Sequence, residues 1–280
     1  MKKLLLGDEA IAQAAIDSGL SGVYAYPGTP STEITEYIQL HEEKCGNPDA
    51  KIFCRWSTNE KTAMEGALGM SYMGKRAMVC MKHVGMNVAA DAFVNSAMTG
   101  INGGLVVVAA DDPSMHSSQN EQDSRFYGKF ALLPIFEPSS QQEAYEMTCA
   151  AFDFSEAVKL PVLMRITTRM AHSRAVVNLT DAPRKQNAIN RPDDVRRWIL
   201  LPAFAKKRYV ELLAQQDDLL KSSVESNFNS YSKGSAPERG VITTGIAYNY
   251  YMENCGKCGE RSLLKVSQYP LPVALVEKMV

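Results

Sequence analysis

The chain has 280 residues, with 30 Lys and Arg against 31 Asp and Glu, so its formal net charge is −1. That balance, with no basic block, excludes a broad polyanion-binding surface and gives no reason to expect a nucleic acid or membrane partner. Apolar residues make up 45% and charged residues 22%, which excludes collagen, coiled coil and a wholly disordered chain.

Asp8 reads as the cap of a first helix through Ile11, Ala12, Ala15 and Ile16, stopped at Gly19. Residues 23–26 form an apolar strand that ends in Pro27-Gly28-Thr29-Pro30, where Thr29 and Pro30 predict a helix start. A strand over 52–56 follows, then Asn59-Glu60 opens a helix that Gly74 closes. Residues 77–81 predict another strand, Lys82-His83-Val84-Gly85 its exit loop, and 87–98 a small-residue helix. The apolar run 105–110 is the clearest strand, and Asp111-Asp112-Pro113 ends it. Residues 114–125 are polar and longer than a usual connection, which marks a candidate functional loop. Ser140 and Glu143 predict a capping box before a helix to Val158, and 161–166 a last strand.

This alternation implies an α/β fold whose parallel sheet is covered on both faces and binds ligands beyond the carboxyl ends of its strands. Residues 171–200 carry little pattern and read as linker, 204–221 as one helix, and 222–240 as polar loop. A second α/β unit begins near residue 240, with strands over 241–244 and 263–266. Two parallel strands cannot bury both faces alone, so the sequence predicts either a fragment or a sheet completed by another protein.

Several side chains could carry chemistry. Glu60, in the first turn of a helix just past a strand, is either an acid–base group or a charge that stabilises its helix. Thr29, Ser31 and Thr32 offer hydroxyls for an anion or serve as caps. His83 titrates near neutrality and could move a proton or simply hold a loop; Lys82 could be a binding cation or a solvated charge. Arg125 could pair bidentately with a carboxylate. Cys255 and Cys258 form one C-x-x-C without the second pair that zinc or an iron–sulfur cluster needs, so no metal ligand set is predicted. Six Cys are too sparse for a disulfide scaffold and, with fourteen Met, point to a reducing cytoplasm. The apolar start breaks at Gly7-Asp8, too early for a leader peptide, and no apolar run reaches the ~18 residues of a membrane span.

Read together, these loops are far more specific than singly. Tyr26-Pro27-Gly28-Thr29-Pro30-Ser31-Thr32-Glu33, Asn59-Glu60-Lys61-Thr62-Ala63, Met81-Lys82-His83-Val84-Gly85-Met86-Asn87, Asp111-Asp112-Pro113-Ser114 and Gln119-Asn120-Glu121-Gln122-Asp123-Ser124-Arg125 occur in this order. The chain resembles the alpha subunits of indolepyruvate:ferredoxin oxidoreductases, a branch of the thiamine diphosphate-dependent 2-oxoacid:ferredoxin oxidoreductases. The resemblance implies a pyrimidine-binding domain over 1–175, a linker with helix over 176–239, and over 240–280 the start of a transketolase C-terminal-like α/β domain. It implies that Glu60 meets N1′ of the cofactor's aminopyrimidine, with Gly28, Gly85 and Asn87 beside the cofactor. Thr29, Ser31, Lys82, His83 and Arg125 would border the substrate.

The implied activity is oxidative decarboxylation of indolepyruvate or other aryl 2-oxoacids to acyl-coenzyme A, with ferredoxin as acceptor and a beta subunit as partner in an oligomer. A different 2-oxoacid (pyruvate, 2-oxoglutarate or a branched one), or a non-catalytic assembly or ligand-binding subunit, are the alternatives. The family's Gly-Asp-Gly…Asn motif, which would bring Mg2+, and its cysteine-rich end with iron–sulfur clusters have no counterpart in these residues. The resemblance therefore predicts the front portion of a longer subunit or a split protein, inactive by itself.

Overall fold

The computed structural model describes residues 1–45, 51–236, 238–255 and 259–279. The apolar run at the centre of the sequence becomes β5 (Leu105–Asp111), all seven residues of which are buried. It pairs in parallel with β4 (Ala77–Lys82) on one side and β7 (Val162–Thr167) on the other. Beyond β4 lie β2 (Gly22–Ala25) and β3 (Phe53–Trp56); beyond β7 lie β6 (Ile135–Phe136) and β12 (Gln268–Tyr269). The resulting order is β12-β6-β7-β5-β4-β2-β3, parallel throughout except for the β12–β6 edge.

Strand periodicity divides the core in two. Met78, Cys80, Val106 and Val108 face α1 (Gly7–Asp17), α2 (Thr32–Cys45) and α6 (Gln141–Val158). Val79, Met81, Val107 and Ala109 face α3 (Glu60–Tyr72) and α4 (His83–Thr99). Small residues bring α3 close to the sheet: a Cβ at Gly66 would lie 2.7 Å from the Tyr24 ring. Arg76, 1% exposed, closes the end of the sheet opposite the ligand-bearing edge. Its guanidinium donates to Glu156 at 2.7 and 3.0 Å and to the Ser18 carbonyl at 3.0 Å, and pairs with Asp153.

The second unit is a three-stranded sheet of order β10-β11-β9, built from β9 (Ser230–Ser232), β10 (Gly240–Thr244) and β11 (Ser262–Val266). Its third strand comes from the stretch read as polar loop. Three alternating residues give that strand too little periodicity to see, and only pairing with β11 defines it. After β11 the chain runs on into β12, which joins the large sheet, so the second unit contributes a strand to the first across the expected boundary.

Other sequence expectations are corrected. β1 (Lys2–Leu6) pairs antiparallel with β8 (Arg174–Asn178), which takes the start of the supposed linker into a sheet. The single helix expected over 204–221 is two, α8 (Pro202–Ala214) and α9 (Gln216–Val224), broken at Gln215. Asp8 does not cap α1: Leu6 holds the cap position, and Glu9 reaches back to its amide at 2.8 Å. α2 starts at Thr32 instead of Thr29, because Gly28, Ser31 and Thr32 bond to one another in a turn. The four-residue exit loop after β4 does not exist, since α4 begins at His83 directly. Of the Cys255/Cys258 pair, Cys258 lies outside the described residues. Among the described residues, no helix is long and apolar enough to cross a membrane.

Candidate functional site

The site lies at the carboxyl ends of β2, β3 and β4. Asn59 caps α3, its Oδ1 accepting from the Thr62 amide at 3.0 Å, and this fixes Glu60 as the first helical residue. Glu60 is only 8% exposed, yet its carboxylate has no hydrogen-bond or ion-pair partner among the described residues. Its oxygens, with no protein donor among those residues and not sealed from solvent, are open to a donor on a ligand.

Gly85 faces it from the first turn of α4. A Cβ at Gly85 would lie 2.6 Å from Glu60 Oε1, so only glycine lets that helix start pass against the carboxylate. Gly28 permits a similar approach at the neighbouring strand, where a Cβ would lie 3.3 Å from Lys82 Cβ. The structure thus brings Glu60 to Gly85 and Gly28 to Lys82, on adjacent turns of one sheet edge. Thr29 is exposed and its hydroxyl has no partner within the described chain. Ser31 is turned inward, donating to the Gly28 carbonyl at 2.9 Å.

Lys82 and His83 hold the polar loop over the site. Lys82 Nζ donates to the Ser117 carbonyl at 2.5 Å, and His83 Nε2 to the Asn120 carbonyl at 2.9 Å. His83 is fully buried and its Nδ1 has no partner. The base of the loop is fastened by Asp111 and Asp112. Asp112 accepts from Ser118 Oγ at 2.6 Å, the Ser117 amide at 2.8 Å and Thr168 Oγ1 at 2.8 Å. Desolvation would raise its carboxyl, but those donors outweigh it and hold Asp112 well below the usual carboxylate range. The loop is therefore ordered by buried acids and carbonyls, with no core of its own.

Asn87 is exposed and accepts a hydrogen bond from the Tyr127 hydroxyl. Arg125 is placed otherwise than an open anion site requires. It begins α5 (Arg125–Ala131), pairs with Asp123 at 2.6 Å and Glu137 at 3.3 Å, and donates to Thr244 at 3.0 Å and Tyr269 at 3.3 Å. The Asp123 bond holds its guanidinium firmly protonated. Arg165, invisible as a candidate in the sequence because it sits inside β7, continues the network to Glu137 and, at 2.7 Å, to Asp111. Arg125 thus binds the second unit to the first.

An α/β sheet with an unpartnered carboxylate at one helix start, a glycine at the next and a hydroxyl loop beside them forms a candidate ligand site at the carboxyl edge of the strands. The family described as pyruvate flavodoxin/ferredoxin oxidoreductase, thiamine diphosphate-binding, matches residues 13–216. The chain belongs to that family. It is 41% identical over 280 residues to the indolepyruvate oxidoreductase subunit IorA of Methanothermobacter thermautotrophicus, covering 99% of this chain and 44% of the relative. It is 42% identical to the same subunit of Archaeoglobus fulgidus, covering 100% of this chain and 45% of the relative. A 2-oxoglutarate synthase subunit KorA of M. thermautotrophicus is 27% identical over 62% of this chain and 47% of its own length. The chain thus spans less than half the length of the indolepyruvate oxidoreductase subunits it matches. Among solved structures, a 2-oxoglutarate:ferredoxin oxidoreductase from Magnetococcus marinus shares the fold with a TM-score of 0.79 at 18% identity, over 99% of this chain and 56% of its own.

Proposed function

We propose that this chain supplies the aminopyrimidine side of a thiamine diphosphate-dependent 2-oxoacid:ferredoxin oxidoreductase acting on indolepyruvate or related aryl 2-oxoacids. The observation that carries the reading is the Glu60 carboxylate, unpartnered, mostly buried and faced by Gly85. When bound, thiamine diphosphate supplies a carbanion-stabilising centre for decarboxylation. Glu60 would hold the proton exchanged at N1′ of its aminopyrimidine, and Gly85 leaves that carboxylate uncovered. Gly28 and Asn87 flank the same edge. Thr29 would orient the substrate carboxylate with its free hydroxyl, while Ser31 shapes the turn that presents it. Lys82 and His83 border the pocket by holding the 112–124 loop over it. The higher identity to the indolepyruvate subunits than to the 2-oxoglutarate subunit favours an aryl substrate.

Coenzyme A, ferredoxin and a beta subunit complete the reaction in this reading. Mg2+ and iron–sulfur clusters would come from sequence beyond these residues, and the chain alone would bind the cofactor weakly and turn nothing over. The test is Glu60→Gln in the assembled enzyme. Indolepyruvate-dependent ferredoxin reduction should fall by roughly two orders of magnitude or more, as for loss of an acid–base group. Stability should change by only about 0.3–1 kcal/mol, the worth of a first-turn charge. Wild-type proton exchange at the cofactor's C2 in a folded Glu60→Gln enzyme would overturn the assignment.

A further inference from the structure

A second cluster of ligating side chains lies outside that site. Asp8 is in the first turn of α1, Glu33 in the first turn of α2, and His172 is the last residue of α7 (Thr168–His172). One ligand atom from each lies within 4.8 Å of the other two. His172 Nε2 is 3.4 Å from Glu33 Oε1. The glycine at position 7 permits the approach of α1 to α7, since a Cβ there would overlap the Met170 carbonyl.

Asp8 has no exposed surface, and neither of its carboxylate oxygens has a hydrogen-bond partner. Glu33 Oε2 is also buried and unpartnered. No Lys or Arg forms an ion pair with either acid among the described residues; among them only the His172 imidazole lies within ion-pair distance of Glu33. Buried polar atoms in folded proteins are almost always satisfied, and an isolated buried carboxylate is among the costliest exceptions. Three orphaned oxygens converging beside an imidazole call for either a proton shared between the two acids or a cation bound between them.

We propose that Asp8, Glu33 and His172 bind one divalent first-row transition cation. Two carboxylate oxygens and one imidazole nitrogen suit zinc and its neighbours, whereas calcium and magnesium prefer oxygen-only sets. Three protein ligands leave a position for water. His172 also lines a cavity of about 630 Å³ with His116, Thr168, Arg169, Ser173 and Tyr250, from which an ion would reach it. Glu33 follows the Thr29 turn by four residues, so the bound ion would pin α2 and that turn to α1 and α7. The inference does not depend on the proposed oxidoreductase activity.

The full chain, stripped with a chelator and dialysed, is titrated with zinc by calorimetry, and its metal content is read by plasma mass spectrometry after gel filtration. One zinc per chain is expected, with a melting temperature that rises in zinc and falls back in chelator. Asp8→Asn keeps the shape and removes the charge; His172→Ala changes an accessible side chain and tests the site even if Asp8→Asn fails to fold. Each should weaken binding by at least about tenfold, since even outer-shell changes cost that much at metal sites. A wild-type chain that retains no zinc overturns the proposal, and Asp8 and Glu33 then share a proton. Zinc binding unchanged in His172→Ala overturns it equally.

Discussion

The two sheets of this chain stand on different terms. In the large sheet β5 is buried along its whole length, and helices cover both faces with Ile11, Ile38, Met64 and Phe93 all fully inside. In the small sheet only Leu264 and Val266 of β11 are fully buried, and Ile242 of β10 is 49% exposed. A seven-stranded sheet with six parallel strands at its core buries enough apolar surface to stand by itself, whereas three short strands with one buried face do not. The small sheet is held by polar ties to the large one. Arg125 reaches Thr244 and Tyr269, Lys265 pairs with Glu143 at 2.5 Å, and Asn249 donates to the Ser139 carbonyl at 2.5 Å. Hydrophobic burial builds the half that carries Glu60, and directional bonds place the half that does not.

The strongest way to break this contrast is at Arg76. Arg76→Ala leaves Glu156 without its guanidinium inside the large unit, and should cost about 3 kcal/mol in urea unfolding, the lower end for breaking a buried pair. The same pair sets a pH dependence. Burial would raise the Glu156 carboxyl, but hydrogen bonds from Arg76 and Asn187 outweigh it and hold it at about 2. Because the folded value is depressed, its contribution is complete above about pH 4.5 and is lost as pH falls through 2. Glu156→Gln should flatten that stretch of the acid-unfolding curve.

Next comes Asn229, 8% exposed, which ties the junction of the two sheets. Its Oδ1 accepts from the Ser267 and Gln268 amides at 2.7 and 2.9 Å, and its Nδ2 donates to the Ser223 and Gln268 carbonyls at 2.7 and 2.9 Å. Asn229→Ala strands those groups and should cost about 2 kcal/mol, within the range for unsatisfied buried groups. Hydrogen exchange should quicken at Ser267 and Gln268 while β4 and β5 stay protected. Equal loosening of both regions would erase the distinction drawn between the sheets.

The smallest effect on stability is expected at Gly85. Glycine to alanine inside a helix normally gains roughly 0.5–1 kcal/mol, so Gly85→Ala should melt within a few degrees of wild type. Its Cβ would nonetheless displace Glu60, and turnover of the assembled enzyme should drop about as far as in Glu60→Gln. Full activity in Gly85→Ala would show that the close approach has no bearing on the site.

What the sequence makes legible follows from range. β5 is readable because its partners on both faces are apolar, and Glu60 because Asn59 and Thr62, three residues apart, settle the helix start locally. His83 is not readable as helical: Lys82 caps α4 with its backbone alone, and Gly85 imitates a turn although its role is to clear Glu60, 25 positions earlier in the sequence. Arg125 is legible as an anion partner, but its carboxylates prove to be Asp123 and the distant Glu137. β6 and β12, two residues each, carry no period at all; β6 is defined by its pairing with β7 and β12, and β12 by its pairing with β6.

β11 ends at Val266 and β12 begins at Gln268, so Ser267 alone separates strands of different sheets. An extended residue spans only about 3.3–3.6 Å, and the amide of this one is pinned by Asn229. The junction therefore leaves little slack. The small sheet cannot slide away without dragging β12 off the edge of the large sheet. A pull exerted on the small sheet therefore reaches Arg125 both directly through Thr244 and by way of Tyr269 and Glu137, at the foot of the loop that roofs the Glu60 edge.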